Sequence, residues 1–408
     1  MVHHLDGKPQ STSGIASKVL IPYDYIVVGL GGHGSAAIAH LSKRGGTCLG
    51  LERFARESHS HGSSHGRSRI IRQAYFEAPQ YVPLLKRAFE LWRELQGSAA
   101  SRPDHPLLTM TGGLMIGMPD SVVVKGTLAS VRTHKLPHQV LTAQQIRQRF
   151  PGFAPRDDEI GVLETEAGYL IPELCVQAHC AVAESHGAEL RFAEPLISWS
   201  DDAETGGVAV QTGQGRYTAR KIVLAVGAWA PELYGREIDV RLHAARRVLY
   251  WFSPRVATDV FDQQPVYIWD LGAAGNFYGF PRQAGPPGGV KVAMHYVDPS
   301  VQTECTPETV DRSVSAREEA AMRAVLKDRI PLLDGDLVAT ATCMYTNTPD
   351  EHFLIDWHPQ CADKVLLASP CSGHGFKFCS VVGEIIADLL MDGATSHDID
   401  FFRLKARL

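Results

Sequence analysis

A glycine-rich segment near the start of the chain has the spacing of a site for nucleotide phosphates. Gly29, Gly31 and Gly34 form a GxGxxG pattern between a β-branched run and an alanine-rich stretch. Glycines at this spacing let the backbone approach a pyrophosphate, whose charge sits at the start of the following helix. Glu52 follows 23 positions after Gly29, where a carboxylate can bind ribose hydroxyls. The pattern predicts a dinucleotide site, but it does not separate NAD from FAD.

A second segment, residues 59–72, reads HSHGSSHGRSRIIR and offers two kinds of ligand chemistry. Its histidines are His59, His61 and His65. Histidine clusters can bind a metal, but no carboxylate nearby could orient these rings, so we predict no metal site. Arg69 and Arg72 lie three positions apart among glycine and serine, and a guanidinium can bind a carboxylate or phosphate through two hydrogen bonds. The segment is therefore predicted to bind an anion, with an ordinary solvated loop as the alternative.

The patterns around these segments place them on a parallel sheet. Residues 24–28 and 47–51 read as buried strands, and residues 35–43 between them read as a helix closed by glycine. A strand, a helix and a strand in this order predict a doubly wound α/β sheet. Further helices are expected at residues 81–95, 174–186 and 383–391, and further buried strands at residues 190–192, 221–226 and 365–368.

A different pattern in the middle of the chain indicates a second domain. Short aromatic or β-branched runs, separated by loops, occur at residues 250–252, 266–269, 276–280 and 289–296. Runs of this kind are typical of antiparallel strands. The chain is thus expected to leave the first domain, build a β-rich second one, and return.

Composition limits the partners that the chain can have. It has 408 residues, with 40 basic against 45 acidic side chains and a formal net charge of −5. This balance gives no basic surface for nucleic acid or an anionic membrane, and no run approaches the roughly 18 apolar residues of a membrane span. The eight cysteines form no CxxC pair, so neither a disulfide framework nor a zinc site is expected. We predict a globular enzyme with no nucleic-acid or membrane partner.

Five further motifs follow one another along the chain. They are GSSHGRSRIIR at 62–72, Gly227-Ala228-Trp229, CMYT at 343–346, PDEHF at 349–353 and SGHGFK at 372–377. Through these motifs the chain, from Tyr23 to about Leu390, resembles the monomeric sarcosine oxidase family. That family lies within the D-amino-acid-oxidase-like flavoproteins, which include pipecolate oxidase and N-methyltryptophan oxidase.

The resemblance implies FAD as the cofactor and a cysteine that carries it. Cys343 falls where members of the family attach the flavin through a thioether, so covalent FAD is expected at this position. Judged from its neighbours alone, Cys343 would be a buried strand residue. The residues implied to bind the cofactor are Gly29, Gly31, Gly34, Glu52, His65, Trp229, Cys343, Gly373, Gly375 and Phe376.

The resemblance also implies roles around the substrate. Arg72 and Lys377 match the pair that binds the substrate carboxylate, which agrees with the need of a buried carboxylate for cationic partners. The alternative for both is a solvated surface charge, and for Lys377 it is weakened by the apolar and small neighbours Phe376, Phe378 and Cys379. The other residues implied to bind substrate are Tyr345 and Phe280, and those implied to act in catalysis are Lys291, His295, Tyr278 and Arg69. Lys291 is expected to stabilise the anion that forms as oxygen accepts electrons; its plain alternative is a lysine at a strand edge.

The implied activity is an FAD-dependent oxidase of a secondary amino acid. Sarcosine or another N-methyl amino acid would give an imine, which water hydrolyses to an aldehyde and an amino acid, while oxygen becomes hydrogen peroxide. One alternative is an oxidase of a cyclic amino acid such as L-pipecolate or L-proline. Others are an FAD-binding electron-transfer or regulatory subunit without oxidase turnover, and an NAD-dependent dehydrogenase. The expected partners are the small amino acid and oxygen, and a monomer is expected.

The implied fold is α/β, with a Rossmann-like FAD-binding domain and a discontinuous substrate domain built on a mostly antiparallel sheet. The FAD-binding domain is expected at residues 22–105, 169–240 and 335–395, and the substrate domain at 106–168 and 241–334. Residues 1–21 are expected to form a flexible tail and residues 396–408 a C-terminal tail. The last three residues, Ala406-Arg407-Leu408, have the pattern of a peroxisomal address. A eukaryotic source would make the protein peroxisomal, and a bacterial one cytoplasmic.

The chain departs from the family pattern at several positions. Ile38 stands where relatives usually carry Ala or Gly, and Arg67 is basic where relatives often carry an acidic residue. The loop from Pro281 to Lys291 is longer than in relatives, and Pro370-Cys371 precedes the SGHGF motif. The last change is expected near the pocket, where it bears on the identity of the substrate.

Overall fold

The computed structural model describes residues 22–56, 59–102, 104–235, 237–255, 259–296 and 304–404. The expected N-terminal tail and Ala406-Arg407-Leu408 lie outside these residues. Of the expected C-terminal tail, residues 396–404 are described, and they end in a short helical turn at Asp400–Phe402 whose Phe402 is fully buried.

Helices separate some strands of the described chain, and other strands follow one another without a helix between them. The strands are β1 (Tyr23–Val28), β2 (Cys48–Leu51), β3 (Arg69–Arg72), β4 (Leu108–Met110), β5 (Gly113–Gly117), β6 (Gln139–Thr142), β7 (Ile160–Glu164), β8 (Ala167–Leu170), β9 (Glu189–Arg191), β10 (Leu196–Asp202), β11 (Gly207–Thr212), β12 (Arg216–Leu224), β13 (His243–Phe252), β14 (Val266–Asp270), β15 (Asn276–Gly279), β16 (Val290–Tyr296), β17 (Glu304–Cys305), β18 (Leu337–Asn347), β19 (Leu354–Trp357) and β20 (Val365–Ser369). The helices are α1 (Gly32–Lys43), α2 (Val82–Gln96), α3 (Val122–His134), α4 (Ala143–Arg149), α5 (Pro172–Ser185), α6 (Ala230–Leu233), α7 (Asp259–Asp262), α8 (Ala316–Arg329) and α9 (Cys379–Asp392).

The first sheet has a Rossmann-like parallel centre, as predicted. β1 pairs in parallel with β2 and β12, and β2 and β12 pair in parallel with β9 and β20. One face packs against α1, α2, α5 and α9 through a shared buried cluster. The other face packs against β11 of the antiparallel β10–β11–β12 extension, where Val208 and Val210 join Ile26 and Leu49 in one cluster. Helices thus cover one face of this sheet, and β structure covers the other.

The second sheet is mostly antiparallel, as predicted. Its order is β17-β13-β16-β15-β14-β5-β7-β6, with β18 on β13, and β5 and β14 are its parallel pair. Helix α8 packs on this sheet, because Met322 and Leu326 share a buried cluster with Trp269 and Phe277. Strand β18 carries Cys343 and belongs here, whereas the domain boundary expected at residue 335 assigned it to the FAD-binding domain.

A third, small sheet carries the two arginines of the 59–72 segment. Its order is β3-β8-β4, and Arg69 and Arg72 lie at the two ends of β3, opposite Leu170 and Ala167. In the chain, β3 follows β2 of the first sheet and β8 follows β7 of the second sheet. The small sheet that carries both arginines is therefore connected to each of the two larger sheets.

Candidate functional site

The glycine turn between β1 and α1 can only be formed by residues without side chains at two positions. Gly29 has a φ of +87°, and a Cβ there would lie 2.6 Å from the carbonyl oxygen of Ala225. A Cβ at Gly34 would collide with the carbonyl oxygen of Gly29. The first turn of α1 therefore packs closely against the end of the preceding strand, and the glycines of the turn carry no side chains that could cover the backbone N–H groups at the start of the helix.

Two side chains hold this turn from outside. Glu52, at the end of β2, accepts a hydrogen bond of 2.8 Å from the backbone N–H of Leu30. Ser64, in the 59–72 segment, accepts one of 3.0 Å from the N–H of Gly32. Burial raises the pKa of Glu52, and hydrogen bonds from Phe54 and Leu30 oppose this shift. Glu52 stands where the sequence analysis expected it, whereas Ser64 was missed because serine in a Gly-Ser loop gives no distinctive signal.

A cavity of about 500 Å³ extends from this turn between the two larger sheets. Of the predicted site residues, those that line it are Gly29, Gly31, Glu52, Arg69, Arg72, Trp229, Tyr278, His295, Cys343, Tyr345, Gly373, Gly375, Phe376 and Lys377. The structure therefore brings most of the predicted set together around one space. Gly34, His65, Phe280 and Lys291 lie behind the first layer of the wall, and His65, Phe280 and Lys291 are buried.

Aromatic side chains surround the glycine-turn end of the cavity. Phe54 stacks on His61 with ring centroids 4.6 Å apart, and it lies 5.6 Å from Trp229. The indole N–H of Trp229 donates to Glu308 at 2.7 Å, and the Arg53 guanidinium lies 5.1 Å from the indole ring. Among the described residues, no cluster of histidine, cysteine or carboxylate side chains has the arrangement of a metal site. At this end, two histidines of the 59–72 segment, His59 and His61, pack against the ring of Phe54.

The middle of the cavity is formed by β18 and residues 63–69. The thiol of Cys343 is 2% exposed and lies 3.5 Å from a guanidinium nitrogen of Arg69, which also donates to the carbonyl of Ser63 at 2.7 Å. The hydroxyl of Ser63 donates to the carbonyl of Met344 at 2.7 Å. These bonds fix the loop against the strand, so that Cys343 and Arg69 face the same part of the cavity.

Lys291 holds the same loop from the other side. Its ammonium donates to the carbonyls of Gly66 at 2.7 Å and Ser68 at 2.8 Å, and its nitrogen lies 4.9 Å from the centre of the Phe280 ring. Burial lowers the pKa of Lys291 well below its usual value, and the charge of Arg69 adds to this effect. The predicted pocket residue Phe280 therefore contacts the lysine rather than the open cavity.

At the far end, Arg72 is already paired with an acid. Its guanidinium donates to both carboxylate oxygens of Glu77, at 2.8 and 2.6 Å, and to the carbonyl of Ala74 at 2.6 Å. Burial alone would raise the pKa of Glu77, but the charges of Arg72 and of neighbouring cations lower it to about 2. Glu77 was missed by the sequence analysis, although an acid five positions after Arg72 was visible in the sequence.

Lys377 approaches the same end of the cavity and is 6% exposed. Its ammonium donates to the carbonyl of His374 at 2.6 Å and to the hydroxyl of Tyr75 at 3.4 Å. The Tyr75 hydroxyl is also hydrogen bonded to Nδ1 of His374 at 2.6 Å. Burial lowers the pKa of Lys377 to about 7, and the charge of Arg72 contributes. His374 lies in the SGHGF motif, but its contact with Tyr75 joins distant parts of the chain and could not be predicted.

Three aromatic or imidazole rings stand opposite these cations. Nδ1 of His295 is 3.0 Å from the hydroxyl of Tyr345, and the ring of Tyr278 is nearly perpendicular to that of His295. Arg247, which the sequence analysis missed, donates to the carbonyl of His295 at 3.0 Å and places its guanidinium 4.8 Å from the centre of the Tyr345 ring. Burial lowers the pKa of His295 to about 3. The side chains that line this side of the cavity are therefore neutral hydrogen-bonding groups, and the guanidinium of Arg247 lies behind them, outside the lining.

The residues present fit a bound dinucleotide with a reactive ring system. The glycine turn keeps α1 open to a phosphate, Glu52 stands beside the turn, and the cavity continues from there to the thiol of Cys343. Nε2 of His65 and Nε of Arg72 are buried without a hydrogen-bond partner among the described residues. Both residues belong to the segment predicted to bind an anion. Beyond Cys343, the two cations and the neutral rings leave a polar end suited to a small carboxylate.

Comparison with known proteins agrees with this arrangement. The model of a family described as FAD dependent oxidoreductases matches residues 24–389. A monomeric sarcosine oxidase of Streptomyces avermitilis is 47% identical over 382 residues, which are 93% of this chain and 96% of the relative. An N-methyl-L-tryptophan oxidase of Escherichia coli is 32% identical over 94% of this chain and 99% of the relative.

A solved structure is also similar over nearly the whole chain. NikD, described as an unusual amino acid oxidase essential for nikkomycin biosynthesis, superposes in its open form with a TM-score of 0.78. The match covers 93% of this chain and 97% of that structure, at 26% identity. Sequence and structure therefore point to one family.

Proposed function

The chain belongs to the family of FAD dependent oxidoreductases, and from this we propose that it oxidises a secondary amino acid, of the N-methyl class, with oxygen as the acceptor. The observation that carries the proposal is the pair of buried cations, Arg72 and Lys377, at the end of the cavity that leads from the glycine turn. Relatives that act on N-methyl amino acids, by their names, match this chain almost from end to end.

The cofactor supplies the redox chemistry and the protein supplies position and charge. FAD, when bound, would accept a hydride equivalent from a C–H bond next to the amine nitrogen, and the N–H proton would also be lost, so that the amine becomes an imine and the two electrons and two protons reduce oxygen to hydrogen peroxide. Water then hydrolyses an acyclic imine to an aldehyde and the amino acid. The residues that would hold FAD are the glycine turn, Glu52 and Cys343, all of which border the cavity.

Arg72 and Lys377 bind the substrate carboxylate in this proposal. In the structure, the bidentate hydrogen bonds of Arg72 go to Glu77, so the substrate carboxylate replaces Glu77 on the guanidinium. The guanidinium suits this exchange, because one terminal nitrogen makes both hydrogen bonds to Glu77 and Nε has no hydrogen-bond partner among the described residues. Lys377 already donates to His374 and Tyr75, and its remaining N–H completes the binding of the carboxylate.

His295, Tyr345 and Tyr278 orient the amine. With its pKa lowered to about 3, His295 is neutral at pH 7, and it does not repel a substrate nitrogen that gains positive charge as the C–N bond is oxidised. An unprotonated amine is needed for oxidation, since its lone pair forms the new C=N bond. A neutral wall of this kind holds the nitrogen without protonating it.

The deciding experiment is anaerobic mixing of the purified yellow protein with sarcosine and, separately, with L-pipecolate. We expect sarcosine to bleach the visible absorption and readmitted oxygen to restore it with one hydrogen peroxide per amine. Bleaching by L-pipecolate alone would replace the N-methyl substrate with a cyclic one. Bleaching without peroxide on readmission of air would indicate an electron-transfer subunit, and a colourless protein would overturn the proposal.

We further propose that the FAD is covalent, through the sulfur of Cys343. The support is the position of this thiol, in the wall of the cavity and beside Arg69. Acid precipitation of the wild-type protein is expected to leave a yellow pellet. A Cys343→Ala variant is expected to release its colour into the supernatant, and a Cys371→Ala variant, altered at another thiol of the same cavity, is expected to keep a yellow pellet. A yellow Cys343→Ala pellet would exclude this attachment.

The peroxisomal address at Ala406-Arg407-Leu408 remains a proposal from sequence. Its test is a fluorescent protein carrying the last twelve residues of the chain, expressed in a eukaryotic cell beside a peroxisomal marker. Punctate fluorescence that overlaps the marker and is lost on removal of the tripeptide is the expected result. Diffuse fluorescence with the tripeptide present would refute the address.

A further inference from the structure

The turn that receives Lys291 has a backbone conformation that needs support. Gly66 and Arg67 are both left-handed, with φ values of +88° and +65°. A side chain at Gly66 would be strained by this φ, and its Cβ would lie 2.5 Å from Cδ1 of the Leu249 side chain. Arg67 is the residue that bears the strain, since side chains other than glycine rarely adopt a positive φ.

Glu173 supplies that support from another element. It is the second residue of α5, and one of its carboxylate oxygens accepts hydrogen bonds from the N–H groups of Gly66 at 2.8 Å and Arg67 at 3.1 Å. Its other oxygen is buried without a hydrogen-bond partner among the described residues. Glu173 also lines the cavity, so this carboxylate stands between the cavity and the turn.

The two sides of the turn thus contact opposite charges. The N–H groups of Gly66 and Arg67 point to the Glu173 carboxylate, and the carbonyls of Gly66 and Ser68 accept from the Lys291 ammonium. If the peptide groups of residues 66–68 rotated, the hydrogen bonds to Glu173 and those to Lys291 would be lost together. The position of the Lys291 ammonium therefore depends on Glu173, which binds the N–H groups of the turn.

We propose that Glu173 is a positioning residue for Lys291, which fixes the turn that binds the ammonium and balances its buried charge. The inference rests on the proposed oxidase function and on the role that the family resemblance implies for Lys291, which is to stabilise the anion that forms as oxygen accepts electrons. It concerns the oxygen half of turnover, and it assigns no role to Glu173 in binding the amino acid.

The charges around Lys291 make the balance necessary. The ionisable groups that face it are Arg69 and His65 from the loop, Cys343 from β18 and Glu173 from α5. Its flanks are the rings of Trp251 and Phe280. Burial and the charge of Arg69 lower the pKa of Lys291, whereas Cys343 and Glu173 raise it. Without the charge of Glu173, Lys291 should lose its proton at a lower pH.

Two variants separate geometry from charge. Glu173→Gln keeps an oxygen that can accept from Gly66 and Arg67 but removes the negative charge, whereas Glu173→Ala removes both. Glu166→Gln is the matched control, because Glu166 follows β7 on the surface and pairs with Arg93. Each protein is bleached anaerobically with sarcosine and then mixed with oxygen, so that the two halves of turnover are timed separately.

We expect Glu173→Gln to be bleached within twofold of the wild-type rate and to react with oxygen at least tenfold more slowly at pH 8. The rate at which the bleached Glu173→Gln protein reacts with oxygen should fall with rising pH, and this fall should begin at a lower pH than in the wild type. Glu173→Ala should be slower still with oxygen, and Glu166→Gln should match the wild type in both steps.

A second measurement needs neither substrate nor oxygen. The visible absorption of the protein is titrated between pH 6 and 11, because a cation that loses its proton beside the chromophore alters the spectrum. The inflection of Lys291 should lie at lower pH in Glu173→Gln and should be missing from Lys291→Met. Wild-type oxygen rates together with an unmoved inflection in Glu173→Gln would overturn the inference. A wild-type protein that sarcosine does not bleach would refute the proposed function instead, and the titration would still decide on Glu173.

Discussion

At the scale of single residues, the pairing of Arg72 with Glu77 bears on the proposed binding of a carboxylate by Arg72. The pair is internal and almost completely buried, with side-chain exposures of 1% and 10%. In the proposed site, a substrate carboxylate would displace the carboxylate of Glu77 from the guanidinium. The free energy of the pair would lower the affinity for substrate, while the pair keeps the Arg72 side chain in one position before substrate binds.

The Glu77→Gln substitution tests this competition. Loss of the competing charge should tighten binding of acetate, a carboxylate without an amine, by about tenfold, as followed by the visible absorption. The free protein should lose about 3 kcal/mol in its free energy of unfolding, because Arg72 is left as a buried charge without its partner. Glu90→Gln, at an exposed acid paired with Arg87, is the control. Weaker acetate binding in Glu77→Gln would contradict the competition.

The pH dependence of carboxylate binding follows from Lys377. Burial lowers its pKa from the usual 10.5 to about 7, so the free protein loses this positive charge as the pH rises through neutrality. Only the protonated lysine attracts a carboxylate. The dissociation constant for acetate should therefore rise by up to about tenfold for each pH unit above 7. In Lys377→Met this slope should vanish, and a slope that persists there would assign the titration to another group.

Much of the site was predictable at this scale because its residues lie in short motifs. Arg72, Tyr345 and Lys377 each stand in such a run, and each lines the cavity. Glu77 and Arg247 were not predicted, because an acid or an arginine near a strand has many possible partners. The pairing of β13 with β18 brings Arg247 to Tyr345, and the turn after β3 brings Glu77 to Arg72.

At the scale of elements, the turn from β1 into α1 leaves almost no room for change. In a Gly34→Ala variant the new Cβ collides with the carbonyl of Gly29, so α1 must move away from the turn. We expect this protein to purify with less than a tenth of the wild-type cofactor content, measured by visible absorption per chain. Gly97→Ala, after α2, is the control, because its φ of −78° suits alanine and its nearest neighbours are 3.5 Å away. Full cofactor content in Gly34→Ala would show that the turn can adjust.

Two departures from the family pattern turn out to contact each other. The guanidinium of Arg67 donates to the carbonyl of Ala284, at 2.8 Å, within the longer loop between Pro281 and Lys291. The sequence shows both features separately, but it cannot show that one holds the other. The contact depends on how the segments before β3 and β16 meet, and these two strands belong to different sheets.

At the scale of the whole molecule, periodicity predicted the two kinds of sheet but not the boundary between them. The parallel strands were recognised because buried parallel strands are continuous apolar runs. Strand β18 returns to the second sheet after α8, and its sequence LVATATCMYTN has no feature that selects one sheet over the other. The partner of a strand is decided by the whole fold, so the expected boundary at 335 missed it.

Removal of the cofactor should weaken the entire molecule, because the cavity lies between the two larger sheets. The test uses Cys343→Ala, in which the proposed covalent link cannot form. Stripped of FAD, this variant should melt at a lower temperature, and added FAD should restore stability by about 4 kcal/mol at a thousand times its dissociation constant. Scanning calorimetry gives both values, and ADP, which lacks the flavin, serves as the control ligand. Equal melting with and without FAD would mean that the sheets do not depend on the cavity being filled.

Strand β18 gives the proposed link through Cys343 a meaning beyond retention of the cofactor. The glycine turn belongs to the first sheet and Cys343 to the second. A flavin bound at one and bonded to the other is a cross-link between two regions far apart in the sequence. The proposed bond would form only after both sheets have folded and come into contact. A covalent adduct would therefore show that this molecule had completed its folding. Molecules in which only one sheet has formed would not bind flavin covalently. In a preparation supplied with FAD, the fraction of chains with covalent flavin would then give the fraction that folded completely.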